Sequence, residues 1–320
     1  MSASDEDVSG PDELEEEVEI AKKSYHLTKE TIGQQLSLLC RTGNGLAHAF
    51  VKVDLQDKNL SNISALSSYI HLCYVDISNN CLTDLSPLAP LNQLLWLKAD
   101  NNSVASFKGQ PFAHLRYLQW LSLAMNHVTE LDGLIAPSLE TLILTGNSIQ
   151  KIKLQQSVSF TNLVTLELRR NGLETIEDLN LPHLRHLFLA QNNIKCLEGL
   201  EKLERLMTLH LRDNQIDNLK GLSANMKGLQ YLNIRGNKIS NENALQSLRL
   251  VSQSMQTLVV SENPLGETTD YRICILVHLP RLERIDKDPV SREERADALR
   301  RIRELESISD EVLNGQNEEA

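Results

Sequence analysis

Nine asparagines close the same frame, L-x-x-L-x-L-x-x-N-x-L, along this chain: Asn80, Asn102, Asn126, Asn147, Asn171, Asn192, Asn214, Asn237 and Asn263. Their spacings are 22, 24, 21, 24, 21, 22, 23 and 26 residues. In the unit that ends at Asn80, the apolar positions are Leu72, Val75, Ile77 and Leu82. Alternation around Val75 and Ile77 predicts a short strand, because side chains along a strand repeat every two residues. The chain then turns at the asparagine. A buried amide there both donates and accepts, so it can pair backbone groups that the turn would otherwise leave orphaned. Nine such amides are expected to stack as a ladder, and one unit cannot bury its leucines without its neighbours.

The return half of each unit keeps a different rhythm. Leu82, Leu85, Leu88, Leu91 and Leu94 recur every three residues, as do Ile194, Leu197, Leu200, Leu203 and Leu206. That period fits 3₁₀ turns, whose i and i+3 side chains eclipse. Together the frame and the period are those of a leucine-rich repeat. The expected fold is therefore an α/β solenoid. It has a parallel β-sheet on the concave face, mostly 3₁₀ or short helices on the convex face, and helical caps. A longer helical turn is expected where the spacing stretches before Asn263. A degenerate repeat opens the array with Phe50, Val53, Leu55 and Leu60, and Lys58 replaces its asparagine.

The ends of a solenoid need polar lids. Thr31 with Gln34 resembles a capping box, followed by an expected helix through Leu36, Leu38, Leu39 and Cys40 and a stop near Gly43. Tyr271 to His278 reads as a helix covering the last repeat. Ser291 with Glu294 is a second capping box, opening a charged helix through Ala298, Leu299, Ile302 and Leu305. The expected organisation is an acidic disordered leader over 1–27, an N-terminal helical cap over 28–48 and about ten repeats over 49–265. A C-terminal cap over 266–290, a charged amphipathic helix over 291–313 and a disordered tail over 314–320 complete it.

Residues 5–19 hold nine acidic residues and no basic one, most of the net charge of −11. A stretch like that is expected to stay disordered. The remainder is nearly balanced, which argues against nonspecific nucleic-acid binding. The start lacks the apolar core of a signal peptide, and no apolar run is long enough to span a bilayer. The five cysteines, Cys40, Cys73, Cys81, Cys196 and Cys274, are scattered. An odd, unclustered set points to reduced thiols in the cytoplasm. The sequons at Asn59, Asn62 and Asn101 are taken as chance matches.

Function has to be sought at the outward positions. Position 3 of the frames carries Tyr74, Trp96, Trp120, His186 and Tyr231, and position 5 carries Lys98, Phe188 and His210. Aromatic residues number 13 in the whole chain, yet five of them fall in these two columns. Keeping large apolar side chains in water costs about 1.5–3 kcal/mol each, so the cluster reads as a partner surface. The competing reading is that the rings stack on one another across strands. Arg169, Arg170, Arg212 and Arg235 at positions 7 and 8 form a basic edge. Either they pair with local carboxylates such as Glu167 and Asp213, or they meet an acidic partner.

No catalytic constellation is present: the chain has no P-loop, no G-x-S-x-G and no H-E-x-x-H. Gly43–His48 (GNGLAH) begins like a dinucleotide loop but lacks the third glycine. His186 and His210 lie in adjacent repeats without further ligands, short of a zinc set. An enzyme, a cofactor and a metal are therefore not expected.

The short period, the three-spaced leucines and the tyrosine-containing cap place the chain near the intracellular SDS22-like class. More narrowly, the runs LSLLCRTGNGLAHAFVKVDL at 36–55, YIHLCYVDISNNCLTDLSPL at 69–88, LLWLKAD at 94–100, LHLRDNQID at 209–217 and LQYLNIRGN at 229–237 carry a closer likeness. They resemble a family of leucine-rich repeat components of the axonemal radial spoke in motile cilia and sperm flagella. That resemblance implies a noncatalytic scaffold in a large axonemal complex, bound to radial spoke head or stalk proteins, with no nucleic acid and no membrane. The alternative is a soluble cytoplasmic adaptor, such as a phosphatase-targeting subunit.

Overall fold

The computed structural model describes residues 25–318, apart from 44, 153–159, 178 and 269. The acidic stretch at 5–19 lies outside the described residues. Thirteen strands form one sheet in an order that follows the chain. It runs from β2 (Leu36–Arg41) and β3 (His48–Asp54) to a final pair at Arg284–Ile285 and Asp288–Pro289. A separate two-stranded pairing joins β1 (Tyr25–His26) to β4 (Leu60–Asn62). From Tyr74–Asp76 to Thr257–Val259 each repeat gives three residues, paired parallel and in register with the next repeat.

In most of these triplets the middle residue is buried and its neighbours are half-buried, as in Trp96–Leu97–Lys98. The apolar residue at position 4 points to the core, so positions 3 and 5 must face outward. The leucines of the return halves are fully buried, among them Leu82, Leu85, Leu88, Leu91 and Leu94. The helical turns there are 3₁₀ segments, and the long spacing before Asn263 holds the longest, Glu242–Val251.

Asn80 shows how the ladder is wired. Its Nδ2 donates to the carbonyls of Leu55 and Ile77, both at 2.9 Å, and of Ser78 at 3.0 Å. Its Oδ1 accepts from the N–H of Leu60 at 2.9 Å and of Lys58 at 3.2 Å. Eight of the nine asparagines are buried, and Asn171 is half-buried.

The residue before each ladder position is left-handed, a feature the frame did not announce. Asp57, Asn79, Asn101, Met125, Gly146, Arg170, Gln191, Asp213, Gly236 and Glu262 have φ between 51° and 69°. A non-glycine residue there costs roughly 1–2 kcal/mol, and the amide bonds of the asparagine beside it offset that strain. The conformation persists at Asp57 in the opening repeat, where Lys58 has replaced the asparagine.

The N-terminal cap corrects the sequence reading. Helix α1 (Lys29–Gln35) is capped by Thr28, whose hydroxyl accepts from Thr31 N–H, so the expected Thr31–Gln34 box lies inside the helix, which ends before Leu36. The expected helix through Leu36, Leu38, Leu39 and Cys40 is instead strand β2, antiparallel to β3. The run LSLLC suits either element, and the hairpin ladder decided for strand. Tyr25 and His26, counted with the leader in the sequence reading, pair with Leu60 and Asn62.

The C-terminal end follows the expectation more closely. Helix α2 (Tyr271–His278) buries Ile275 and Leu276. Asp286 Oδ1 accepts from Val260 and Ser261 N–H, both at 2.8 Å, and so pairs at Val260 a backbone group that a further repeat would have paired. The second capping box is present: Ser291 N–H donates to Glu294 Oε2 at 2.7 Å, and Glu294 N–H to Ser291 Oγ at 3.1 Å. It opens α3 (Arg292–Glu318), so the tail expected to be disordered from residue 314 is helical through Glu318.

Candidate partner-binding face

In-register parallel pairing brings equivalent positions of successive repeats side by side. Trp96 lies directly across from Trp120, and Tyr74 across from Trp96. The two indoles stack at 4.6 Å between centroids and 12° between planes. Neither enters the core, which Leu97 and Leu121 occupy instead. The stacking that the sequence offered as a competing reading is therefore real. Both rings nevertheless stay half-buried on the outward face.

A second aromatic run lies further along. Phe188, His210 and Tyr231 follow one another at 4.9 Å and 4.9 Å, and the Arg169 guanidinium sits 4.8 Å from the Phe188 ring centre. Burial, aided by the Arg169 charge, lowers the His210 pKa to about 4, so the ring is a neutral member of the run. His186 is lowered as well, by burial and by Arg185. It sits across from Thr165 and Thr208.

The charged side chains are paired internally. Lys98 lies 3.8 Å from Asp76 and 3.9 Å from Asp100. Asp100 also accepts from the Ser122 hydroxyl and from Ala124 N–H. Arg169 reaches Glu167 at 3.5 Å and Arg212 reaches Asp213 at 3.1 Å. Arg235 donates to Glu262 at 2.7 Å, and Arg170 donates to Gln191 Oε1 at 2.7 Å. Such exposed pairs contribute little individually, so a carboxylate brought by another protein could replace them at small cost.

A leucine-rich repeat family model matches residues 155–310. Human leucine-rich repeat-containing protein 23 is 48% identical over 272 residues, covering 85% of this chain and 78% of that one. The mouse protein of that name is 43% identical over 298 residues, covering 92% and 86%. This chain belongs to the leucine-rich repeat-containing protein 23 family. Among solved structures, the functional domain of InlJ from Listeria monocytogenes has a TM-score of 0.57 at 19% identity, covering 74% of this chain and 53% of that one. That likeness concerns the fold alone.

As a member of the leucine-rich repeat-containing protein 23 family, the molecule is a protein-binding leucine-rich repeat protein. Its outward face extends beyond the columns read from sequence. Leu39 and Phe50 are cross-strand partners at the start of the sheet and are 58% and 46% exposed. Leu39 was missed because residues 28–48 read as a helical cap, and Phe50, read as an apolar position of the opening repeat, faces outward instead; the alternation in His48–Asp54 was the signal that could have shown it. Among the described residues Glu177, Cys196 and Glu198 bring three potential metal ligands within 4.8 Å of one another. They are exposed or half-buried, without the buried supporting shell of a built metal site.

Proposed function

We propose that this protein is a noncatalytic structural component of the axonemal radial spoke, holding spoke head or stalk proteins on its outward face. Family membership across most of the chain carries the reading. The outward-facing, half-buried aromatic columns around Trp96, Trp120, Phe188 and Tyr231 support it, because buried aromatic anchors dominate protein–protein binding. Its role would then be spoke assembly, and through it ciliary or flagellar motility. Disrupting the gene in a ciliated organism is the test: cilia should form, with incomplete spokes in tomograms and impaired beating. Normal spokes would refute the proposal. Extraction separates it from a soluble adaptor, since a spoke component stays with demembranated axonemes in detergent and leaves in high salt.

A further inference from the structure

Strand β2 is an open edge. Its inner side pairs with β3, and among the described residues no strand lies on its outer side. Half the backbone N–H and C=O groups of such a strand point away from the sheet and can template another strand. Proteins commonly blunt these edges with proline or with charges. Leu36–Arg41 has no proline and a single charge, Arg41, and its regular pairing is interrupted at Leu38, which is left-handed at φ 59°. Leu38 and Leu39 are 52% and 58% exposed.

The two faces of this edge differ in chemistry. On the outward face the cross-strand partners are Ser37 with Lys52, Leu39 with Phe50 and Arg41 with His48. An exposed apolar pair is thus flanked by cations. Among the described residues neither Arg41 nor Lys52 has an ion-pair partner, whereas Arg169, Arg212 and Arg235 all have one. On the opposite face Cys40 pairs with Ala49. A cleft of about 370 Å³ opens there, walled by Val51, Ile70 and Cys73 and by the polar residues His71, Asn92 and Gln93.

We propose that β2 accepts an extended segment of a protein partner as an added strand, with acidic and apolar residues alternating along it. Carboxylates would face outward to Arg41 and Lys52, and apolar side chains would enter the cleft. Main-chain bonds would give the affinity and the alternating side chains the selectivity. A second copy of this chain fits less well. Two antiparallel β2 strands with outward faces matched set Leu39 on Leu39, but they place Arg41 of each copy across from Ser37 of the other, with that copy's Lys52 on the next strand and no carboxylate for either cation. Lys52 continues the outward column of Tyr74 and Trp96, but the groups that would pair are the free backbone of β2 at the end of the sheet, so the proposal does not depend on the spoke assignment.

The probe is a blocked peptide of about eight alternating glutamate and valine residues, within the usual strand length, with lysine replacing glutamate in the control. Backbone amide exchange is read on the full chain. The glutamate peptide should slow exchange at residues 36–41 by roughly tenfold or more, as pairing protects amides, and the lysine peptide should not. Arg41→Glu with Lys52→Glu, both at exposed positions, should transfer the effect to the lysine peptide. Three results would overturn the proposal. The first is residues 36–41 protected as well as His48–Asp54 before any peptide is added, which means that this chain or a second copy already covers the edge. The second is equal protection by both peptides, and the third is no protection by either.

Discussion

Asn80 and Leu60 belong to neighbouring repeats and are joined side chain to backbone: the Asn80 Oδ1 accepts from the Leu60 N–H at 2.9 Å. The same bond recurs between Asn102 and Leu82 at 2.9 Å and between Asn263 and Ile239 at 3.0 Å. Each ladder amide therefore belongs to the interface between repeats as much as to its own turn.

Asn192→Ala should destabilise the array by about 1–3 kcal/mol, since buried backbone groups lose their partners. The groups concerned are the carbonyls of Leu168 and Leu189 and the N–H of Leu173. Leu142→Ala, in the fully buried core, should cost about 2–5 kcal/mol. Urea unfolding followed by circular dichroism measures both. A ladder mutant as stable as wild type would show that solvent replaces the amide.

Two glycines should respond in opposite ways to alanine. Gly221 has φ of 110°, and a Cβ there would lie 2.3 Å from the Leu197 carbonyl oxygen. Gly221→Ala should cost roughly 2–4 kcal/mol, from left-handed strain plus overpacking against a backbone that cannot yield. Gly33 is inside α1 with open space around it. Gly33→Ala should stabilise by about 0.5–1 kcal/mol, the ordinary helix preference. Thermal or urea denaturation reads the sign of each.

Trp96→Ala and Trp120→Ala should leave the fold intact and remove the same spectroscopic signal. The chain has only these two tryptophans, and their stacking predicts an exciton couplet in circular dichroism that either substitution abolishes. A double-mutant cycle should give a coupling of about 0.5–1.5 kcal/mol. Recovery of axonemal partners should fall in the single mutants and further in the double. Unchanged recovery would leave stacking as the whole role of the pair.

Acid should weaken the fold through His210. Its folded pKa is lowered to about 4, below the unfolded value near 6.5. Between these values the unfolded chain binds a proton that the folded chain does not, so stability falls as pH drops from about 6.5 toward 4. His210→Phe keeps an aromatic ring in the run and should flatten that part of the profile. Denaturation midpoints compared between the two proteins across this range check it. Identical slopes would mean that the ring protonates freely in place.

The sheet and its outward columns were legible because a period of two with one buried position admits a single orientation. The ladder was legible because an amide repeated at that position can both donate and accept, and so pair two repeats at once. Leu36–Arg41 was not, since a short apolar run suits helix and strand alike, and its pairing with His48–Asp54 was needed to decide. The pairing of Arg235 was not legible either, because Glu262 lies in the next repeat at a position the frame leaves unconstrained.

By itself the sequence determined the repeat, the buried leucines and the residues that share a face, because local periodicity and burial leave no second arrangement for them. Only the tertiary structure decided how the surface is spent. It stacked Trp96 on Trp120, gave Arg169 and Arg235 their carboxylates, made His210 neutral and, among the described residues, left no strand on the outer side of β2. Those outcomes depend on side-chain separations between stacked repeats, which a one-dimensional pattern does not contain.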